Sequence, residues 1–236
     1  MLDFLLNLEH LLKVWPDNAK WTIAQIAEKT ATQVAHVHEY MTTALNKPID
    51  IHDPLTFSEV TKAQIIISER QKAQIEARRR EEEQAIESAI RAYDLVQEKM
   101  RVMLAAKNWR GAYKTLNYFY GVNRKFLPYD MITLVCDNCL RIGIKAQINF
   151  QELSGWLRLG IETLMHAPSS TNLEDALDFL DAYGEYFLDD PKGKGEQLMV
   201  NLFLTLKPSA MEFELTPRFN EVAGELNLTA VMDEII

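Results

Sequence analysis

The amino-acid sequence predicts an all-α protein, and three observations lead there. Apolar residues recur at helical spacing over nearly the whole chain. No alternating strand pattern of useful length occurs, except PIDIH (Pro48–His52), which suits a short wing or edge strand. From Thr56 to Ala106 there is neither proline nor glycine, and in the middle lies the charged run RRREEE, Arg78–Glu83. Together these predict a small N-terminal three-helix unit over residues 1–56, a long charged connecting helix over 57–107, and a C-terminal domain of irregular helical hairpins with an acidic tail over 108–236.

The first segment, MLDFLLNLEHLLKVW, carries Leu2, Leu5, Leu6, Leu8, Leu12 and Trp15 as the core-facing residues of an amphipathic helix. Asp3, Glu9 and His10 interrupt it, and it has neither a basic leading region nor a small-residue cleavage site, so it does not read as a signal peptide. PDNAK (Pro16–Lys20) is a turn. WTIAQIAEKTATQVAHVHEYMTTALN then supplies two helices, and KPIDIHDP (Lys47–Pro54) is a connection with two prolines.

Within that block, Ala27, Ala31, Val37 and Tyr40 have a spacing that resembles a helix-turn-helix. The motif needs a small residue where two helices cross, a small residue in the turn, and apolar residues holding the second helix down. The resemblance implies a helix-turn-helix-like or winged-helix-like N-terminal unit. The chain departs from the motif in two ways. Ala31 stands at the turn where glycine is usual, and the would-be recognition helix, Thr32–Leu45, has no lysine or arginine, only His36 and His38 beside Glu39. Phosphate contacts need cations. The expectation is therefore a unit that contacts protein; a DNA-binding regulator is the alternative.

Thr56 and Glu59 have capping-box spacing at the start of the long helix. Fifty residues of helix would reach about 75 Å, so a bend or break is expected. Between Ile67 and Ile86 the only large apolar side chain is Ile75, too little for any face to enter a core. Arg78, Arg79 and Arg80 each face glutamates three or four residues on, pairs worth about 0.2–0.5 kcal/mol in the less favoured order. RRREEE is thus expected to stay solvated.

Helical spacing returns with Ile86, Ile90, Tyr93, Leu95, Val96, Met100, Met103 and Leu104. A helix beginning at Asn108 is expected to end near Gly121 or Asn123. PYDMITLVCDNCLRIGIKAQ follows, with Pro128 in its first turn. FQELSGWLRLGIETLMHA is the next helix, and SSTNLEDALDFLDAYGEYFL starts at a capping cluster in which Thr171 and Glu174 have capping-box spacing. DDPKGKG is a turn, EQLMVNLFLTLK a helix, and the tail from Pro208 one or two short helices. KNWRGAYKTLNYFYG and TNLEDALDFLDAYGE are similar to the first helices of tetratricopeptide-like hairpins. Their separation of about 64 residues does not fit a regular 34-residue array.

Composition limits the function. The 236 residues carry net charge −9, which argues against a general nucleic-acid binder. Residues 1–56 are net −3, 57–107 net +1, 108–168 net +3 and 169–236 net −10, a polarity suited to directional contacts. No apolar run is long enough to span a membrane. Cys136 and Cys139, the only cysteines, form C-x-x-C inside an apolar-periodic helix, where they read as packing residues of a reduced, cytoplasmic protein. With no second pair, four zinc ligands are not available. His10, His36, His38, His52 and His166 form no ligand spacing, and Asp189–Asp190 lacks a catalytic context. No P-loop, nucleophile elbow, zincin motif or dinucleotide fingerprint is present.

No catalytic residue, metal, cofactor or small-molecule ligand is therefore expected, and nucleic acid is not an expected partner. The expected activity is that of a non-enzymatic adaptor or scaffold subunit that binds one or more proteins in a larger assembly, for example a bacterial secretion-type machine. The expected partner surface is Trp109, Arg110, Tyr113, Tyr118, Tyr120, Arg124 and Lys125. Aromatic residues 118–120 cannot all face one core, and exposed Tyr and Trp beside Arg and Lys is the composition of an interface hot spot.

Overall fold

The computed structural model describes residues 2–190 and 193–228, the Leu2 side chain excepted, and this protein is all-α. Ten helices are described: α1 (Leu2–Lys13), α2 (Ile23–Lys29), α3 (Val34–Leu45), α4 (Phe57–Ala105), α5 (Trp109–Asn123), α6 (Tyr129–Lys145), α7 (Phe150–Leu164), α8 (Ser170–Leu188), α9 (Lys194–Glu212) and α10 (Thr216–Glu225). One two-residue ladder joins β1 (Lys20–Trp21) antiparallel to β2 (Leu55–Thr56). PIDIH is not a strand. Its polar atoms fold on themselves instead: the amide of Asp50 donates to Asp53 and that of His52 to the Asp50 carboxylate, both at 2.9 Å.

The chain divides into two compact units, Met1–Glu83 and Gln84–Ile236, each with its own core. In the first, Phe4, Leu8 and Leu11 of α1 are buried against Ile23, Ile26 and Ala27 of α2 and Val37 and Met41 of α3. Leu5, Leu12 and Trp15 pack at the margin, while Leu6 is exposed. The buried stripe of α1 thus runs through Phe4 and Leu11, a phase different from the leucines singled out by sequence. Thr22 caps α2 through a full capping box with Gln25.

α4 is one unbroken helix of 49 residues, with no break where one was expected. Its start is the predicted capping box: the Thr56 amide donates to Glu59 at 2.9 Å and the Glu59 amide to the Thr56 hydroxyl at 3.3 Å. Lys47 reaches Glu59 as well, and that hydrogen bond, with the one from Thr56, holds the Glu59 carboxyl down at about 2. Val60, Ala63 and Ile67 enter the first core; Ala89, Tyr93 and Met100 enter the second. Between Ile67 and Ala89 no side chain is buried. The helix has no apolar stripe to bury there, and propagation from its packed turns carries it across.

The second unit stacks α5 to α10 around one apolar interior. Helices approach closely at glycines: a Cβ on Gly160 would meet the Phe179 ring at 2.6 Å, and one on Gly195 would lie 1.6 Å from the carbonyl oxygen of Phe187. Asn108, Asn149 and Ser169 cap α5, α7 and α8 through side chains that accept from the third residue on. Ser169, not Thr171, caps α8, so the expected Thr171–Glu174 box does not form. Pro208 lies inside α9 rather than ending it. Pro208 and Leu204, the residue four earlier that loses a helical hydrogen bond to the missing amide, are both exposed. Gly193 takes the left-handed conformation at the start of α9, while Pro191 and Lys192 of the DDPKGKG turn and residues 229–236 of the acidic tail lie outside the described residues.

Five helices, α2, α4, α6, α9 and α10, end in the same way. A residue in the left-handed region, Ala31, Lys107, Gln147, Glu214 or Asn227, is followed by an amide that reaches back five residues. This is the Schellman closure, and at all five places the left-handed residue carries a Cβ where glycine would be unstrained.

Candidate functional site

The predicted partner residues cluster on and just beyond α5, and the structure sorts them by face. Ala112, Tyr113, Leu116 and Phe119 point inward. Arg110, Lys114, Tyr118, Val122, Arg124 and Lys125 lie outward, with Tyr118 76% and Val122 59% exposed. Lys114, Tyr118 and Val122 follow spacings of four and four along one stripe of α5, and Lys125 lies in the turn just after it.

Tyr113 does not belong to that surface. It is 2% exposed, and its hydroxyl accepts a 2.9 Å hydrogen bond from the Trp156 indole of α7. Burial pushes its phenol up to about 12. Helical phase decides the matter: Tyr113 shares the inward face with Leu116, whereas Tyr118 is two positions past it. Trp109 is half-buried, and the Lys145 ammonium lies 4.9 Å from its ring centroid. The Arg110 guanidinium donates through Nε to the Ala146 carbonyl at 3.2 Å, tying the start of α5 to the end of α6. Tyr120 is half-buried and meets Trp156 edge-on at 5.0 Å.

Beside the stripe runs a groove of about 380 Å³ between α5 and α7, walled by Asn117, Tyr120, Arg124, Glu152 and Trp156. A Cβ added to Gly121 or Gly155 would touch nothing within 4 Å, so the groove is open where two helices each present a glycine. Sequence reading missed it: Gly155 stands 34 residues from Gly121 and only the packing of α7 on α5 brings them to one groove. It also missed an aromatic surface on the first unit. There Trp15 lies 4.2 Å from Trp21 and 6.0 Å from Phe57, beside a cleft of about 580 Å³ that Pro16, Asp17 and Lys20 help to line. That surface is assembled from the turn after α1, β1 and the start of α4, three segments that no periodicity links.

Charge gives the α5 face its character. From Lys99 to Tyr129 the chain has seven lysines and arginines and no acidic residue, in a protein of net charge −9. α8 is the reverse: it carries Glu174, Asp175, Asp178, Asp181 and Glu185 and no lysine or arginine. Arg218 of α10 binds Asp178 at 2.8 Å and Glu221 at 2.9 Å, which neutralises only part of the acid there.

Other residues singled out in the sequence have structural surroundings. Cys136 and Cys139 are buried in α6, and burial pushes both thiols up, Cys136 to about 12. A thiol held protonated is a poor nucleophile and a poor metal ligand. His38 bonds the Ile49 carbonyl at 2.8 Å, and His166 stacks on Tyr129 at 4.1 Å. Among the described residues no group of three or more His, Cys, Asp or Glu is placed to hold a metal ion, and no helix is long and apolar enough to cross a membrane. The α5 face offers permanent positive charge, aromatic area and a shallow groove, which suits recognition of an acidic surface.

No known protein family, curated protein or solved structure matches the chain.

Proposed function

We propose that the protein is a non-enzymatic adaptor or scaffold subunit whose α5 face binds an acidic segment of a partner protein. The observation that carries this reading is the exposure of Tyr118 and Val122 within an acid-free run of seven basic residues. An exposed tyrosine costs little side-chain entropy to immobilise and supplies a hot-spot anchor, while surrounding lysines steer an acidic partner and fix its register. The neighbouring groove, with Arg124 at its wall, is suited to a side chain projecting from that partner. A bacterial secretion-type assembly is one setting for such a subunit, and no residue argues for it in particular.

The test is binding of the intact chain to synthetic acidic peptides with and without an aromatic residue, with lysine-for-glutamate versions as controls. Co-purification from source cells with wild-type and variant bait runs in parallel. Lys114→Glu with Lys125→Glu should abolish peptide binding and strip the partners that wild type retains, and Tyr118→Ala should weaken binding about tenfold. The same partners and affinities with all three baits would end the proposal.

The DNA-binding alternative draws support from one feature. α2 and α3 are joined through Ala31 in the left-handed conformation, with Ala27 and Val37 buried, as a helix-turn-helix requires. Against it, α3 has neither lysine nor arginine to meet phosphate. Titration with random duplex DNA at low salt separates the readings: retention that weakens steeply with salt supports DNA binding, and no retention removes it.

A further inference from the structure

We infer that the exposed middle of α4 is a self-association site, at which a second copy of this chain binds antiparallel about a two-fold axis passing between Arg80 and Glu81. The inference starts from a symmetry in the helix itself. Numbered outward from that point, Arg80, Arg79 and Arg78 face Glu81, Glu82 and Glu83, and Ile75 faces Ile86. Charged and apolar residues are thus complementary about the same centre. In an antiparallel pair Ile75 of one copy comes level with Ile86 of the other and Arg79 with Glu82, each contact made twice, with Arg78 and Glu83 on the two flanks of the contact.

The side chains lie where such a pair needs them. At 3.6 residues per turn, Ile75, Arg79, Glu82 and Ile86 fall within a sector of about 60°. Ile75 is 55% and Ile86 37% exposed, and no side chain between Ile67 and Ala89 is buried. Arg78 and Glu82 have no ion-pair partner among the described residues, while Arg79 reaches Glu83 at 2.9 Å and Arg80 reaches Glu76 at 3.6 Å in exposed pairs worth little. Arginine before glutamate is also the poorer order for pairing within one helix. A segment whose charges served only its own helix would gain by the opposite order. A parallel pair would set arginine against arginine, so the charges select the antiparallel arrangement.

The contact rests on two isoleucines per copy and screened charges, so the dimer should be weak, concentration-dependent and favoured at low salt. Sedimentation of the full chain should show a mass rising from 27.2 kDa toward twice that value at about 0.05 M salt, and no such rise at about 1 M. Register is read by cross-linking. Ile75→Cys and Ile86→Cys chains, mixed and mildly oxidised, should form a covalent dimer that neither forms alone, because 11 residues separate the two positions by roughly 16 Å along the helix. The native cysteines, both buried, do not compete. Charge reversal supplies a second readout on exposed positions. Arg78→Glu with Arg79→Glu, and Glu82→Arg with Glu83→Arg, should each weaken self-association about tenfold or more, and mixing the two variants should restore it. Cross-linking of either cysteine variant with itself, a constant 27.2 kDa at low salt, or failure of the mixed charge variants to associate would overturn the inference.

Discussion

Replacing Gln147 by glycine should make the protein more stable, although glycine is usually the destabilising choice. Gln147 closes α6 with φ at 55°, where its amide donates to Ile144 at 3.1 Å and the next amide, of Ile148, reaches Gly143 at 3.0 Å. The Cβ of a residue held there crowds its own backbone, at a cost of about 1–2 kcal/mol. Glycine removes that cost and returns part of it as extra freedom of the unfolded chain, leaving a net gain of about 0.5–1 kcal/mol. Gln147 is exposed, so no packing is lost. In urea the midpoint should rise by about 0.2–1 M at unchanged slope. Gln147→Ala is the control: it trims the side chain but keeps the Cβ, and should move the midpoint little. If glycine and alanine behave alike, or glycine lowers the midpoint, the left-handed closure is not strained and the reasoning fails. A change in slope would instead place the effect in the unfolded ensemble.

Tyr113→Phe should cost about 1–3 kcal/mol in the same assay, because it leaves the Trp156 indole buried without its acceptor, and a loss no greater than that of an exposed Tyr118→Phe would refute the hydrogen bond's role. Gly195→Ala should destabilise by about 3 kcal/mol or more, since the clash is with the backbone of Phe187 and α8 and α9 must separate to relieve it; a normal melting temperature would contradict the packing. The Glu59 carboxyl is depressed from its ordinary 4.5 to about 2, so the stability it contributes is present above pH 4.5 and lost as pH falls toward 2. Glu59→Gln keeps the capping geometry without the charge and should flatten the acid limb of the stability profile. Both cysteines should react with a thiol reagent only as fast as the chain opens, and rapid labelling of the folded protein would show that α6 does not seal them.

Much of the architecture was legible in the residues alone, and for local reasons. Helical spacing, the Thr56–Glu59 capping box and the lack of any breaker up to Ala106 are properties of neighbouring residues, and they hold in the fold. The exposure of RRREEE within the chain follows from the scarcity of apolar side chains around it, which is a property of the segment itself. Errors came where several local signals competed. Ser169 and Thr171 are both good caps, and in the fold it is Ser169 that accepts from the Asn172 amide. Pro208 normally ends a helix, but an exposed turn lets α9 continue through it.

The candidate site divides along the same line. The acid-free basic run and the aromatic density of α5 can be read from the residues, since charge and composition need no coordinates. So can the two-fold pattern of α4, because that is a relation within one helix. It takes the packing of helix on helix to turn Tyr113 inward to Trp156 while Tyr118 stays in water, to open one groove at Gly121 and Gly155, and to bring Trp15, Trp21 and Phe57 together. Those choices depend on which face of each helix finds an apolar neighbour, and burial is a property of pairs of surfaces, whereas periodicity is a property of one.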